Sequence, residues 1–399
     1  YVFSLLLLRL TWVGLNLVVY MYNYQKTNRY FAQVADDLKD IAEKEILFLG
    51  ARDTRQVYRG IYFNATPEVL YTINFESRLI HRVLAPLILF DCHSDRYLYK
   101  VSSRIEWQDF LDVSHTFAVS ATVSHSAIKH SKFAALRLKD AIVDYFRSRK
   151  GERPSVDRKN PDLWINLHIE KNKATISLDT SGGSLHKRGY RKESVLAPMI
   201  ETLAAAIIKY SGWDGSVPLY DPFCGSGTLL CEGYMFASRT PAAIMRPSFG
   251  FQRLPDFDPL LWEEVKQKGV QKRIELSKNI VVGSDLSMKA VKSATHNCSI
   301  VDEANVINVE QKDVFDIPNI EGKAIICNPP YGIRTGKDVD LGGFYERFGD
   351  FLKRRCCGST AYVYFGQRRY IKNLGLKPSW RKQISNGGLD GRLVMYELY

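Results

Sequence analysis

The stretch Pro218-Leu219-Tyr220-Asp221-Pro222-Phe223-Cys224-Gly225-Ser226-Gly227-Thr228 reads as a short strand, a glycine-rich turn and the opening of a helix that continues to Ala237. Glycine tolerates the tight turn and lets a ligand approach the backbone closely. In a dinucleotide fingerprint a third glycine would stand at position 230, where this chain has Leu230. The turn also begins with Asp221, and a carboxylate there repels a pyrophosphate. A ligand with a positive end, such as the amino group of a methionine moiety, fits better. Asp221, Phe223, Cys224, Gly225, Ser226, Gly227 and Thr228 are the first candidate cofactor-binding residues.

Working outward, the second half of the chain alternates helical and strand-like pieces. The pattern predicts helices over 201–211, 227–237, 288–299 and 344–355, and strands over 218–221, 280–284, 306–311, 324–328 and 360–366. Such alternation implies a parallel sheet with helices on both faces, an α/β fold. In that fold ligands gather at the carboxyl ends of the strands. Gly283-Ser284-Asp285 places an acid at the second strand's end, suited to a ribose diol, with Leu286 beside it. Asp285 lies far beyond the ~20 residues expected after a dinucleotide loop, so 238–278 reads as an insertion rich in Pro, Arg and aromatics. Lys312-Asp313-Val314-Phe315 follows the third strand. Asp313 can accept from an adenine amine, while Val314 or Phe315 packs the ring. Each acid alone is more often a plain surface carboxylate. Asn328-Pro329-Pro330-Tyr331-Gly332 follows the fourth strand. Two prolines freeze this turn. The Asn328 side-chain oxygen and the Pro329 carbonyl can then accept from the exocyclic amine of a base on which Tyr331 stacks. In isolation Asn-Pro is an ordinary turn signal.

The 399 residues allow two to four domains, at roughly 100–200 residues each. Apolar residues at 45% and charged residues at 25% exclude wholesale disorder and multi-span membrane classes. The net charge of +12 points to a polyanionic partner, nucleic acid first, while charge alone leaves an inert basic surface equally open. Half of that excess falls in 125–160, with ten Lys and Arg against four acids and Phe133, Tyr145 and Phe146 interleaved. Lys129, Lys132, Arg147, Arg149, Lys150 and Arg158 there are candidate RNA-binding residues, the bland reading being a solvated helix face. Seven cysteines, with no C-x-x-C pair, fit reduced thiols in a cytoplasmic protein, and no His/Cys cluster has metal-ligand spacing. His296 falls inside a helix and reads as a surface histidine rather than a base. Periodicity predicts a helix over 30–49, strands over 57–63 and 105–107, an amphipathic helix over 131–147, and a hairpin of 163–170 with 173–179 around Lys171-Asn172. Residues 1–22 are nearly all apolar. They are expected to be an extension outside the fold, with Met21 as the working start; the alternative is a membrane anchor.

Ser184-Leu185-His186-Lys187-Arg188-Gly189-Tyr190-Arg191, Ala197-Pro198-Met199-Ile200-Glu201-Thr202-Leu203-Ala204 and the turns at Asp221 and Asn328 together resemble class I methyltransferases that use S-adenosylmethionine. More narrowly, the chain resembles bacterial 23S rRNA guanine-N2 methyltransferases carrying a THUMP domain, a likeness to which Asn160-Pro161-Asp162 and Lys139-Asp140-Ala141-Ile142-Val143-Asp144 add. Met199-Ile200 departs from it, a polar residue being expected there. The resemblance covers about 30–399. It implies a ferredoxin-like domain over 25–69, a THUMP RNA-binding domain over 70–182, and a Rossmann-like methyltransferase domain with a mostly parallel seven-stranded sheet over 183–399. It also implies S-adenosylmethionine as cofactor, no metal, RNA as partner, catalytic roles for Asn328, Pro329, Pro330 and Tyr331, and RNA contacts for Lys187, Arg188 and Arg191. Three rivals stand beside it: a tRNA guanine-N2 methyltransferase, a DNA adenine-N6 methyltransferase, and a non-catalytic RNA-binding or rRNA-remodelling factor.

Overall fold

Seven strands of the second half form one sheet in the computed structural model, which describes residues 21–194, 198–330, 340–386 and 389–399. We number them β1 (Leu219–Asp221), β2 (Val281–Asp285), β3 (Ile307–Gln311), β4 (Ala324–Cys327), β5 (Thr360–Phe365), β6 (Trp380–Gln383) and β7 (Arg392–Glu397). Their spatial order is β3-β2-β1-β4-β5-β7-β6. The first five are parallel, and β7 runs antiparallel between β5 and β6. This is the expected mostly parallel sheet. Chain order reverses between β1 and β4, which makes their carboxyl ends the topological switch point. Register puts Gly283 opposite Asp221, and Ile325 opposite Tyr220, so the turns after β1, β2 and β4 leave the sheet at one edge.

Among the described residues this half also holds five α-helices: α1 (Glu201–Ser211), α2 (Thr228–Ala237), α3 (Pro259–Gln271), α4 (Met288–Val301) and α5 (Leu341–Arg355). Strand residues alternate faces. Tyr220, Val282, Ile325, Ala361 and Val363 join Phe348, Phe351 and Leu352 of α5 in one buried core. Elsewhere Leu230 of α2 lies against Gly283, where an added Cβ would fall 2.5 Å from it. Only glycine permits that approach of helix to strand.

The described residues group into two compact units, 21–30 with 85–178, and 31–84 with 179–399. The second therefore holds the seven-stranded sheet together with an N-terminal segment. In that segment the helix expected over 30–49 is shorter. Residues Arg29–Gln33 are a strand with alternating burial, and the α-helix spans Lys39–Phe48. Tyr30, Ala32 and Val34 are apolar and lead straight into the apolar stripe of the helix, though Tyr30 and Ala32 lie in extended backbone. The strand expected over 57–63 is a hairpin, Arg52–Val57 with Gly60–Asn64. The helix Pro67–Glu76 presents Tyr71 and Phe75 to Phe249, Phe251 and Trp262, with Tyr71 stacked on Phe251 at 4.5 Å between centroids and Phe75 edge-on to Trp262 at 5.4 Å. The aromatics of the 238–278 insertion thus serve as packing.

In the other unit, Leu163–Glu170 and Lys173–Asp179 form the expected hairpin, with Lys171 and Asn172 both at positive φ, and Thr116–Ser124 runs parallel to the first of them. The amphipathic helix extends over Ser131–Lys150 and buries Ala134, Leu138, Ala141, Ile142 and Tyr145. Residues 105–107 are not a strand: Trp107 opens a 3-10 turn, and its indole nitrogen donates to the Ser102 carbonyl at 2.9 Å. Tyr22 corrects the expected limit of the extension. It is buried, and its hydroxyl donates to Asp109 at 2.8 Å, so the fold includes it. Residues 1–20 lie outside the described residues. Among the described residues, no helix is long and apolar enough to cross a membrane. All seven cysteines are free thiols.

Candidate active site

The turn after β1 is held from both sides by hydrogen bonds from its backbone N–H groups. Asp221 Oδ1 accepts from the Phe223 N–H at 3.0 Å, and the Cys224 N–H donates to the Ser284 carbonyl at 3.0 Å. Gly225 and Gly227 sit at φ of 54° and 81°, in the left-handed region. A Cβ on Gly227 would fall 3.2 Å from Ala294 and Cys298 of α4, so the glycine lets helix and loop close together. Asp285 ties the second strand to this loop: its Oδ2 accepts from the Gly225 N–H at 3.0 Å and its Oδ1 from the Ser287 N–H at 2.9 Å. Leu286 next to it is 67% exposed, an apolar side chain left bare at the sheet edge. Asp313 Oδ1 accepts from the Phe315 N–H at 3.0 Å. Val314 is buried in the core with Ile317 and Ile320, so Phe315, partly buried under Arg347, is the ring available at that turn and Val314 is not.

The side chains of Cys224, Ser226 and Thr228 are buried; what this loop offers a ligand is backbone. Asp221 is buried too. Removal from water pushes its carboxyl from the ordinary 3.8 up to about 8, with the Asp285 charge adding to the rise. A buried carboxyl in this state holds its proton at neutral pH and would release it against a cationic group.

The Asn328 turn follows β4 at the same edge. Asn328 Oδ1 is buried and finds no hydrogen-bond partner among the described residues. Such an atom carries a desolvation penalty that a ligand N–H would remove. The turn is anchored by Tyr345 of α5, whose hydroxyl donates to the Pro330 carbonyl at 3.2 Å, while its ring stacks with Phe365 and Tyr370. Tyr331 lies outside the described residues.

Two expected RNA contacts are overturned. Arg188 is 1% exposed; it pairs with Glu232 at 3.2 Å and donates to the Leu185 and Arg78 carbonyls, so it is an internal strut. Arg191 spends its guanidinium on Glu201, the Met199 carbonyl and Thr228 Oγ1, bracing the segment beside the glycine loop. Lys187 is exposed. In the other unit Lys129, Lys132, Arg147, Arg149, Lys150 and Arg158 are all exposed. Three of them are partly neutralised: Arg147 by Asp144, Arg149 by Glu106, and Lys150 by Asp112.

Asn297 was not foreseen. It is fully buried in α4, donates to the Ser226 and Glu193 carbonyls and accepts from the Lys192 and Glu193 N–H groups. The available signal was a polar residue on the buried stripe that runs through Ala290, Ala294 and Val301. His296 is exposed. Among the described residues no group of three His, Cys, Asp or Glu can hold a metal.

Comparison with known proteins follows this geometry. Residues 188–394 match the family described as RMKL-like, methyltransferase domain; residues 93–179 match the THUMP domain, and 29–84 the RlmL ferredoxin-like domain. The Synechocystis protein named "Putative RNA methyltransferase slr0064" is 39% identical over 375 residues, which cover 94% of this chain and 97% of that one. The ribosomal RNA large subunit methyltransferase K/L of Syntrophotalea carbinolica is 34% identical over 381 residues, 93% of this chain. The chain spans about half the length of that relative, 53%. In fold, it matches the crystal structure of SMU.472 complexed with SAH at a TM-score of 0.81 and 24% identity, over 94% of this chain and 98% of that one. Sheet order, edge and matches agree: the chain belongs to the THUMP-containing class I S-adenosylmethionine-dependent RNA methyltransferases of the large-subunit rRNA methyltransferase K/L family.

Proposed function

We propose that this protein transfers the methyl group of S-adenosylmethionine to the exocyclic N2 of a guanine in 23S rRNA, in the cytoplasm. The names of the K/L relatives support the substrate class. The observation that carries the reaction is the buried Asn328 Oδ1 without a partner among the described residues.

The residues fit the cofactor. Asp221 would meet its cationic amino-acid end, and the second lone pairs of the Asp285 oxygens would meet the ribose hydroxyls. Leu286, Asp313 and Phe315 would border the base. The cofactor supplies an electrophilic methyl group on a sulfonium. The chain's own residues orient the nucleophile. A guanine amine is weakly nucleophilic because its lone pair is delocalised into the ring. Asn328 Oδ1 and the Pro329 carbonyl, accepting its two N–H groups, return electron density to nitrogen and aim the lone pair in line. Pro329 and Pro330 hold the turn stiff, Tyr345 holds it down, and Tyr331 stacks on the base. Proton loss from the cationic product needs no strong base in the site. Residues 70–182, with Lys129, Lys132 and Arg158 foremost, would grip structured RNA by shape and phosphate, and Lys187 would add a contact from the catalytic unit.

The test is Asn328→Ala. It is expected to bind cofactor as the parent does while methyl transfer to 23S rRNA falls roughly 10²–10³-fold. Full activity would refute the role. Assaying the parent on 23S rRNA, tRNA and duplex DNA, with mass-spectrometric identification of the methylated base, separates the substrates. Methyl in tRNA or on adenine of DNA, or RNA binding with no transfer, overturns the reading.

A further inference from the structure

A cavity of about 540 Å³ opens on the catalytic unit, lined by Arg368, Arg369, Lys372, Arg381, Gln383 and Arg392. No motif discussed above includes any of these residues. Five cations meet there. Among the described residues, Asp390 is the single carboxylate within ion-pair distance of them, reaching Arg368 at 3.9 Å and also pairing with Arg392. A single acid leaves the cavity strongly positive. Guanidinium groups gathered in this way suit phosphate, whose oxygens they can meet in a planar, bidentate manner.

Its location names the phosphate's source. Residues 368–371 form a 3-10 turn shortly after β5, which lies beside β4 in parallel register, Cys327 opposite Val363. Arg392 begins β7 opposite Phe365, the last residue of β5, and pairs with Gln383 of β6. The cavity therefore lies at the sheet edge from which the Asn328 turn emerges. Two strand spacings separate β4 from β7, roughly 10 Å. A physical link joins the two places as well. Arg369 lies over the Tyr370 ring and donates to its hydroxyl at 2.8 Å; Tyr370 stacks on Tyr345 at 5.2 Å; and Tyr345 donates to the Pro330 carbonyl.

We infer that this cavity is a second RNA site, on the catalytic unit itself, which holds the phosphodiester backbone beside the target nucleotide. The inference rests on the RNA reading of the active site and assigns that reading a backbone clamp. Clamping the strand next to the reacting base limits its freedom where a misplacement of about 1 Å already costs rate.

The experiment uses the full chain and transcribed 23S rRNA, with binding measured across a potassium chloride series. The triple variant Arg369→Gln/Lys372→Gln/Arg381→Gln is compared with the parent and with the charge-keeping pair Arg369→Lys/Arg381→Lys. For single-stranded contacts each phosphate contributes about 0.7 to the slope of log affinity against log salt. The triple variant is expected to flatten that slope by about 2 and to bind roughly tenfold or more weakly at physiological salt, with cofactor affinity by calorimetry unchanged. The lysine pair is expected to keep the parent slope, which a mere loss of folding would not produce. If the parent binds and methylates 23S rRNA and the triple variant matches it in slope and affinity, the cavity assignment alone falls. If the parent neither binds nor methylates it, the functional reading falls and takes the inference with it. If the triple variant instead loses binding to phosphatidylglycerol vesicles while its RNA slope holds, the cavity is a membrane-surface site and the inference is overturned.

Discussion

At the scale of single residues, Asp221 makes a pH signature. Burial holds its carboxyl at about 8, above the ordinary 3.8, so the ligand-free protein keeps this proton at neutral pH. The unfolded chain releases it near the ordinary value. Between these two limits the folded state binds more protons, so ligand-free stability declines as pH rises across that window, and this group contributes no slope below it. A cationic ligand end reverses the balance by favouring the carboxylate. Cofactor binding should then expel a proton. Affinity for S-adenosylmethionine should rise up to about tenfold per pH unit from pH 6 toward 8 and level off above. Asp221→Asn should abolish that dependence and bind weakly at every pH. Calorimetry in buffers of differing ionisation enthalpy counts the proton directly, and a flat parent profile would rule out contact between Asp221 and the cationic end. This residue was legible in the sequence because a strand, an acid and a Gly-x-Gly turn stand in a row. Arg188 was not, because its partner Glu232 lies 44 positions away and no local pattern separates a basic surface run from a buried ion pair.

At the scale of elements, the parallel core could be read because β1, β2 and β4 are short apolar runs that lead into a residue with chemistry: Asp221, Asp285 and Asn328. Of the antiparallel pair, β6 is the harder to read, since Trp-Arg-Lys-Gln is an edge strand with alternating exposure and little apolar signal. Likewise, Arg29–Gln33 is too short to compete with the helical stripe that follows it. Bracing between elements is equally invisible along the chain, and Asn297 is the clearest case. From α4 it reaches the Ser226 carbonyl in the cofactor loop and the backbone at Lys192 and Glu193, four hydrogen bonds from one side chain. Asn297→Ala strands the Ser226 carbonyl in a buried place and leaves the partly buried groups at Lys192 and Glu193 to water. With about 1–3 kcal/mol for the one group that water cannot reach, and less for the others, a total loss of roughly 3 kcal/mol is expected. The loop should loosen with it. Thermal melting should show the lower stability, and calorimetry a cofactor affinity reduced about tenfold or more. A melting loss with cofactor affinity intact would make Asn297 a packing residue with no part in shaping the loop.

At the scale of the whole molecule, the resemblance implies separate modules over 25–69 and 70–182 ahead of a catalytic domain over 183–399. In the structure, 31–84 and 179–399 form one compact unit. The physical reason is the insertion. Phe249, Phe251 and Trp262 need an apolar partner, and the helix Pro67–Glu76 supplies Tyr71 and Phe75, with Lys268–Glu68 and Lys272–Glu76 ion pairs beside them. Arg78 adds partly buried hydrogen bonds to the Met235 and Thr240 carbonyls. Aromatic packing is non-local, and composition alone showed only that 238–278 is rich in rings. If this cluster welds the two stretches, they should open together. Trp262→Ala removes the ring that touches both sides; a buried Trp→Ala change costs roughly 3–5 kcal/mol, which for a unit of this size lowers Tm by roughly 10 °C. Hydrogen exchange should then speed up both in the helix Pro67–Glu76 and in α3, whereas the helix Ser131–Lys150 of the other unit should keep the parent rates. Faster exchange in α3 with the helix Pro67–Glu76 unchanged would show that the N-terminal segment folds on its own and that the ring cluster is a mere seam.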